Sequence, residues 1–120
     1  MSKSLLQEKS FYFAIRCVNL YKHLTTVKNE YVLSKQMLRS GTSIGANVTE
    51  SRNAQSDADF ISKHSIALKE ADETQYWFEL LKMTEYLDEN EFSSLTNDLT
   101  ELIAMLTSTI KKKKFNQKDE

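Results

Sequence analysis

The chain has 120 residues, a formal net charge of −1, two Gly, no Pro and a single Cys. That length supports one domain around one core. The scarcity of Gly and Pro excludes a β fold built on tight turns, and a lone Cys17 excludes an internal disulfide and fits a reducing compartment.

No apolar run reaches the roughly 18–20 residues that span a bilayer. The N-terminus lacks the apolar stretch of a secretory signal. A cytoplasmic protein without membrane contact is expected, folded as a single domain over residues 1–120.

Hydrophobic spacing predicts four helices joined by short polar segments. Helix 1 runs from about Leu5 to Thr25. Phe11, Ile15 and Val18 form one stripe, while Phe13, Cys17, Leu20 and Leu24 form a second on a nearly opposite face. A stripe a little over 100° wide suffices for a helix covered on one side. This helix is apolar over about twice that width, which predicts an oligomer with the second stripe at the subunit interface.

Helix 2 is expected from Glu30, capped by Asn29, to about Asn53, with Leu33, Met37, Ile44 and Val48 toward the core. Within it, residues 39–50 are dense in small side chains, and both glycines of the chain, Gly41 and Gly45, lie there. Each Gly in a helix interior costs about 1 kcal/mol relative to Ala. Two of them predict a close backbone approach, within the subunit or from a neighbour, and Gly41 and Gly45 join the expected interface.

Helix 3 follows Ser56, with Asp59 completing a capping signal. Its heptad-like stripe is Phe60, His64, Ala67, Ala71, Thr74, Phe78 and Leu81, spaced alternately by four and three. Ile66, Glu70, Glu73, Trp77 and Leu80 line a second stripe beside it. Helix 4 starts after Asp88, with Glu91 as its reciprocal cap. Phe92, Leu95, Leu99, Leu102, Ile103, Leu106 and Ile110 give it one clean apolar face, and residues 111–120 read as a flexible basic tail. Short joints favour antiparallel neighbours, so the expected fold is an all-α, up-down-up-down four-helix bundle.

Catalytic chemistry finds little support. A di-iron carboxylate bundle needs Glu-x-x-His pairs, but Leu20 precedes His23 and Ile61 precedes His64 at that spacing. One Cys and two distant His cannot form a zinc cluster, and Gly41-x-x-x-Gly45 lacks the Lys-Ser/Thr of a phosphate loop. No catalytic residue, metal, cofactor or small-molecule substrate is expected. Cys17 reads as a small packed residue rather than a nucleophile, and His64 as a satisfied core or interface histidine.

The remaining polar constellation is Arg39, Ser43, Asn47 and Glu50 on helix 2 with Glu70 and Glu73 on helix 3. Paired carboxylates can serve acid–base work. A hydrogen-bonded ion-pair layer fixing helix register or an interface is the preferred reading, with Arg39 paired beneath the surface.

Charge is uneven along the chain. Residues 1–56 hold eight Lys/Arg against three Glu, a net +5, and residues 70–101 hold ten Asp/Glu against Lys82, a net −9. Candidate nucleic-acid contacts are Lys9, Arg16, Lys22, Lys28 and Arg52 on the first two helices. Lys111, Lys112, Lys113 and Lys114 join them where cations suit the negative end of a helix dipole.

Residues 31–87 resemble the signature of a bacterial family of four-helix bundles encoded by intervening sequences in large-subunit ribosomal RNA genes. Leu33, Gln36, Arg39, Ser43, Ile44, Asn47, Val48 and Glu50 carry the helix 2 part, and Ser56, Phe60, Ile66, Ala67, Glu70, Glu73 and Thr74 the helix 3 part. Ser51 stands where many members have Gly. The resemblance implies an antiparallel four-helix subunit assembled as a homopentameric ring, with no established enzymatic activity. The chain is similar also to the accessory variability protein of diversity-generating retroelements, a more basic pentameric barrel that binds nucleic acid. The expected function is therefore a non-enzymatic oligomer associated with RNA or the ribosome. The competing readings are a protein–protein adaptor and, more remotely, an enzyme using Glu70 and Glu73.

Overall fold

The computed structural model describes residues 3–118. Four helices, α1 (Leu5–Thr26), α2 (Leu33–Glu50), α3 (Asp57–Met83) and α4 (Glu89–Lys118), form a rod of 53 × 23 × 22 Å. They pack around a square, α1 on α2, α2 on α3, α3 on α4 and α4 back on α1. Every neighbouring pair runs antiparallel. Ion pairs at both ends of the α3–α4 contact show it, Lys113 with Asp57 and Lys82 with Glu89.

Each helix start is satisfied by a local acceptor. Ser4 and Gln7 exchange reciprocal bonds of 3.1 and 3.0 Å at α1, Ser56 accepts from the Asp59 N–H at α3, and Asp88 and Glu91 cap α4 reciprocally. At α2 the expected cap is corrected. The helix begins at Leu33, and the buried carboxylate of Glu30 takes the N–H groups of Val32, Leu33 and Ser34 at 3.1, 2.8 and 2.6 Å. Asn29 instead turns the chain in the left-handed region, φ 56°, which its short polar side chain tolerates.

The other end of α2 is also earlier than expected, since Ser51–Asn53 tighten into a 3₁₀ turn. Conversely, α4 continues through Lys118, so residues 111–118 are helix rather than flexible tail. The apolar stripe stops at Ile110, but lysine is a good helix former and lies at the favourable end of the helix dipole. Residues 119–120 lie outside the described residues.

The core corrects the reading of α1. Phe13, Cys17, Leu20 and Leu24, expected between subunits, are buried inside the single chain with Met37, Ile44, Ala71, Phe78 and Leu102. Phe13 and Phe78 meet edge to face, their centroids 6.1 Å apart. Phe11, Ile15 and Val18 are the stripe left outside, at 59%, 40% and 36% exposure. The buried set extends to Leu6 and Ser10, giving an unbroken alternation of four and three over six positions, whereas the outer stripe has only three.

Gly41 and Gly45 are likewise spent within the subunit. A Cβ on Gly41 would overlap the Cys17 sulfur, and one on Gly45 would lie 3.1 Å from the Ser10 carbonyl oxygen. The small-residue face of α2 therefore lets α1 approach. Its other flank meets α3, where the Ser40 and Thr74 hydroxyls touch at 2.8 Å in the interior.

Candidate functional site

Arg39 leaves α2 between two carboxylates of α3. Its guanidinium pairs with Glu70 at 3.3 Å and with Glu73, which also accepts the Trp77 indole N–H at 3.0 Å. Arg39 is half exposed, so this cluster lies in the open seam between α2 and α3 rather than beneath the surface. Solvent screening limits such a pair to about 0–1 kcal/mol.

Ser43 and Asn47 lie on the same face of α2 but bond their own helix. Ser43 Oγ donates to the Arg39 carbonyl at 2.6 Å and Asn47 Nδ2 to the Ser43 carbonyl at 2.9 Å. Glu50 is exposed at the end of α2 and does not share in the cluster's hydrogen bonds. Three of the six expected residues thus meet, two flank them, and one stands apart. Glu70 and Glu73 are cross-linked through one arginine, a geometry that ties two helices together.

Two other candidate reactive groups sit in the core. Burial pushes the Cys17 thiol up to about 12, against the lowering effect of Arg16, leaving it protonated and shielded. His64 is nearly fully buried, stacked on Phe60 at 4.1 Å. Its Nδ1 lies 3.0 Å from the Phe60 carbonyl. Burial lowers its pKa; the bond to Phe60 opposes this, and Lys113 lowers it further.

The fold redistributes the basic residues. Lys9 pairs with Glu101, Arg16 bonds Asp98 and Ser94, and Lys113 pairs with Asp57 while covering the Phe60 ring. Lys22 and Lys28 lie exposed near the far end of α1. Arg52, Lys111, Lys112 and Lys114 are exposed and have no carboxylate partner among the described residues.

Antiparallel packing places the start of α1, the end of α2, the start of α3 and the end of α4 together. That half of the rod, residues 3–14, 43–69 and 100–118, holds ten Lys/Arg against five Asp/Glu, a net +5. The opposite half, residues 15–42 and 70–99, holds six against ten, a net −4. The charge asymmetry therefore runs along the bundle. Lys3, Lys63 and Lys69 also belong to the basic half, and the last two lie outside the basic segment that summing charge along the chain gives. Among the described residues, no His, Cys, Asp or Glu group could hold a metal ion, and no helix is long and apolar enough to cross a membrane.

Fold and seam define an antiparallel four-helix bundle whose polar cluster braces helices and whose cations gather at one end. The 23S rRNA-intervening sequence protein family matches residues 3–108, and the chain belongs to that family. It is similar to a solved protein of unknown function from the S23 ribosomal protein family of Bacteroides thetaiotaomicron. Identity is 56% over 89% of this chain and 99% of that one, with a TM-score of 0.88. No curated protein matches it. Membership in this family, with a seam built as a brace, is consistent with a non-enzymatic protein.

Proposed function

We propose that the protein is a cytoplasmic, non-enzymatic homo-oligomer that associates with RNA or the ribosome through the basic end of its bundle. The carrying observation is the cluster of exposed cations there, Arg52, Lys111, Lys112 and Lys114, without carboxylate partners among the described residues. Such a surface contacts phosphates by charge and shape, without reading sequence.

The outer α1 stripe, Phe11, Ile15 and Val18, supplies the apolar surface for self-association. A pentameric ring is the assembly favoured by the resemblance to ring-forming relatives. Repeating one modest basic patch around a ring turns weak contacts into useful avidity. Resemblance to the retroelement accessory protein favours the same kind of ring.

Filter binding to a structured RNA tests this reading. Affinity should fall steeply between about 50 and 200 mM salt as counterions are released. Absence of binding at the low end would favour the adaptor reading, a module for a protein partner, which the same exposed stripe on α1 supports.

A further inference from the structure

The last turns of α4 project past their neighbours. Lys113 pairs with Asp57, the first residue of α3, and α4 runs on to Lys118. On the other side Lys9 pairs with Glu101, so Leu5, where α1 begins, stands only about one to two turns further along α4. We propose that this projecting end binds an unpaired segment of RNA, with Phe115 stacking a base and Lys111 and Lys112 holding the adjacent phosphates. This rests on the RNA reading above and names the form of RNA: a single strand, loop or end rather than a continuous duplex.

Phe115 has no packing duty within the subunit. The buried stripe of α4 ends at Ile110, whereas Phe115 is 65% exposed. A ring left in water forgoes the gain of burial. Phe60, which also lies at this end, is already covered by His64 and Lys113. Phe115 makes no ring-stacking or cation contact of that kind among the described residues.

The ring shares one face of α4 with cations. Ala104, Thr107, Ser108, Lys111, Lys112 and Phe115 line a shallow hollow of about 720 Å³. The three small side chains leave room for a nucleotide beside the ring. Phe115 stands one helical turn, about 6 Å, beyond Lys111, so a phosphate on either lysine sets a neighbouring base over the ring.

Charge decides the occupant. Residues 102–118 hold five Lys and no Asp or Glu, and Lys111 and Lys112 have no carboxylate partner among the described residues. An apolar partner would bury the ring but strip those cations of water, whereas a polyanion neutralises them and releases its counterions. Duplex RNA would satisfy the lysines yet keep its bases stacked, leaving Phe115 in water. An unpaired strand satisfies both, because every base has a π-face and its unstacked bases are open to aromatic side chains.

The test is fluorescence anisotropy of two labelled RNAs with the full chain at about 50 mM salt, a short oligouridine and a duplex of equal length. Phe115→Ala should weaken oligouridine binding about tenfold, with its salt slope unchanged, and leave the duplex affinity as it was. Phe115→Trp should bind oligouridine at least as tightly as the parent. Made in a Trp77→Phe background, which removes the only native indole, its emission should be quenched by oligouridine and not by the duplex. Lys111→Gln should instead lower the salt slope for oligouridine, by about 0.7 for the phosphate no longer neutralised. Oligouridine affinity unchanged by Phe115→Ala, or equal losses for both RNAs, would overturn the proposal while leaving the RNA reading intact. So would a fall in mass by light scattering with Phe115→Ala at unchanged RNA affinity, since the ring would then cover a second copy. Binding of neither RNA by the parent would overturn both readings.

Discussion

Replacing Gly41 by alanine tests why this glycine sits inside a helix. Helix propensity alone predicts a gain of about 1 kcal/mol. The added methyl, however, would overlap the buried Cys17 sulfur, and overpacking a filled core typically costs about 1–3 kcal/mol. Gly41→Ala should therefore destabilise the bundle or at best break even. Removing the sulfur in Cys17→Ala reverses the balance, because the nearest remaining atoms are the residue 17 Cβ at 3.3 Å and Phe13 at 3.8 Å. In that background Gly41→Ala should become stabilising by up to about 1 kcal/mol. Gly45→Ala provides the contrast. Its obstacle is the Ser10 backbone carbonyl, so Ser10→Ala should not rescue it. Urea unfolding of the four Gly41/Cys17 proteins gives the coupling directly. A coupling within about 0.5 kcal/mol of zero, the level of independent sites, would refute the close approach of α1 and α2 as the reason for this glycine.

The two stripes of α1 should separate by phenotype. Phe11→Asp with Ile15→Asp should lower the mass seen by light scattering while the thermal midpoint changes little. Phe13→Asp should unfold the subunit, since even truncating a buried Phe to Ala costs about 3–5 kcal/mol. Arg39→Met should cost only about 0–1 kcal/mol in chemical denaturation; a cost several times larger would mean that the seam is closed in solution.

Acidification should weaken the fold in two stages, read from unfolding free energy against pH. His64 has a folded pKa below its ordinary 6.5, so the unfolded chain binds the proton first and stability falls as pH drops below 6.5 toward the folded value. His64→Phe should flatten that stage. Burial would raise the Glu30 pKa, but the N–H groups of Leu33, Ser34 and Val32 and the Ser34 hydroxyl outweigh it and hold it below 4.5. Its contribution is therefore present above 4.5 and lost as pH falls through the folded value. Glu30→Gln should remove this second stage.

The four helices and their order are legible in the sequence because each has a continuous 3.6-residue pattern and three have sequence-local caps. Helix 2 starts later than its spacing suggests because Glu30 caps from outside the helix, three residues before Leu33, a loop geometry that periodicity does not reveal. The inner and outer stripes of α1 exchange places for a more instructive reason. Ser10 occupies a core position because Gly45 brings α2 against its backbone, and a serine there hides the length of the true heptad run. Arg39, Glu70 and Glu73 can be grouped from spacing and antiparallel packing, but their exposure depends on side-chain reach at the helix seam. The basic end draws residues from several helices, and only the folded arrangement adds them together.

The central claim is that RNA meets the basic end of the rod. Dissociation constants for one structured RNA should be compared between Lys111→Gln/Lys112→Gln/Lys114→Gln and Lys22→Gln/Lys28→Gln, both checked for unchanged mass. The first variant should bind far more weakly and show a shallower salt dependence, by about 0.9 in slope for each phosphate no longer neutralised, while the second binds as the parent does. Equal weakening in both variants, or weakening only in the second, would contradict the claim.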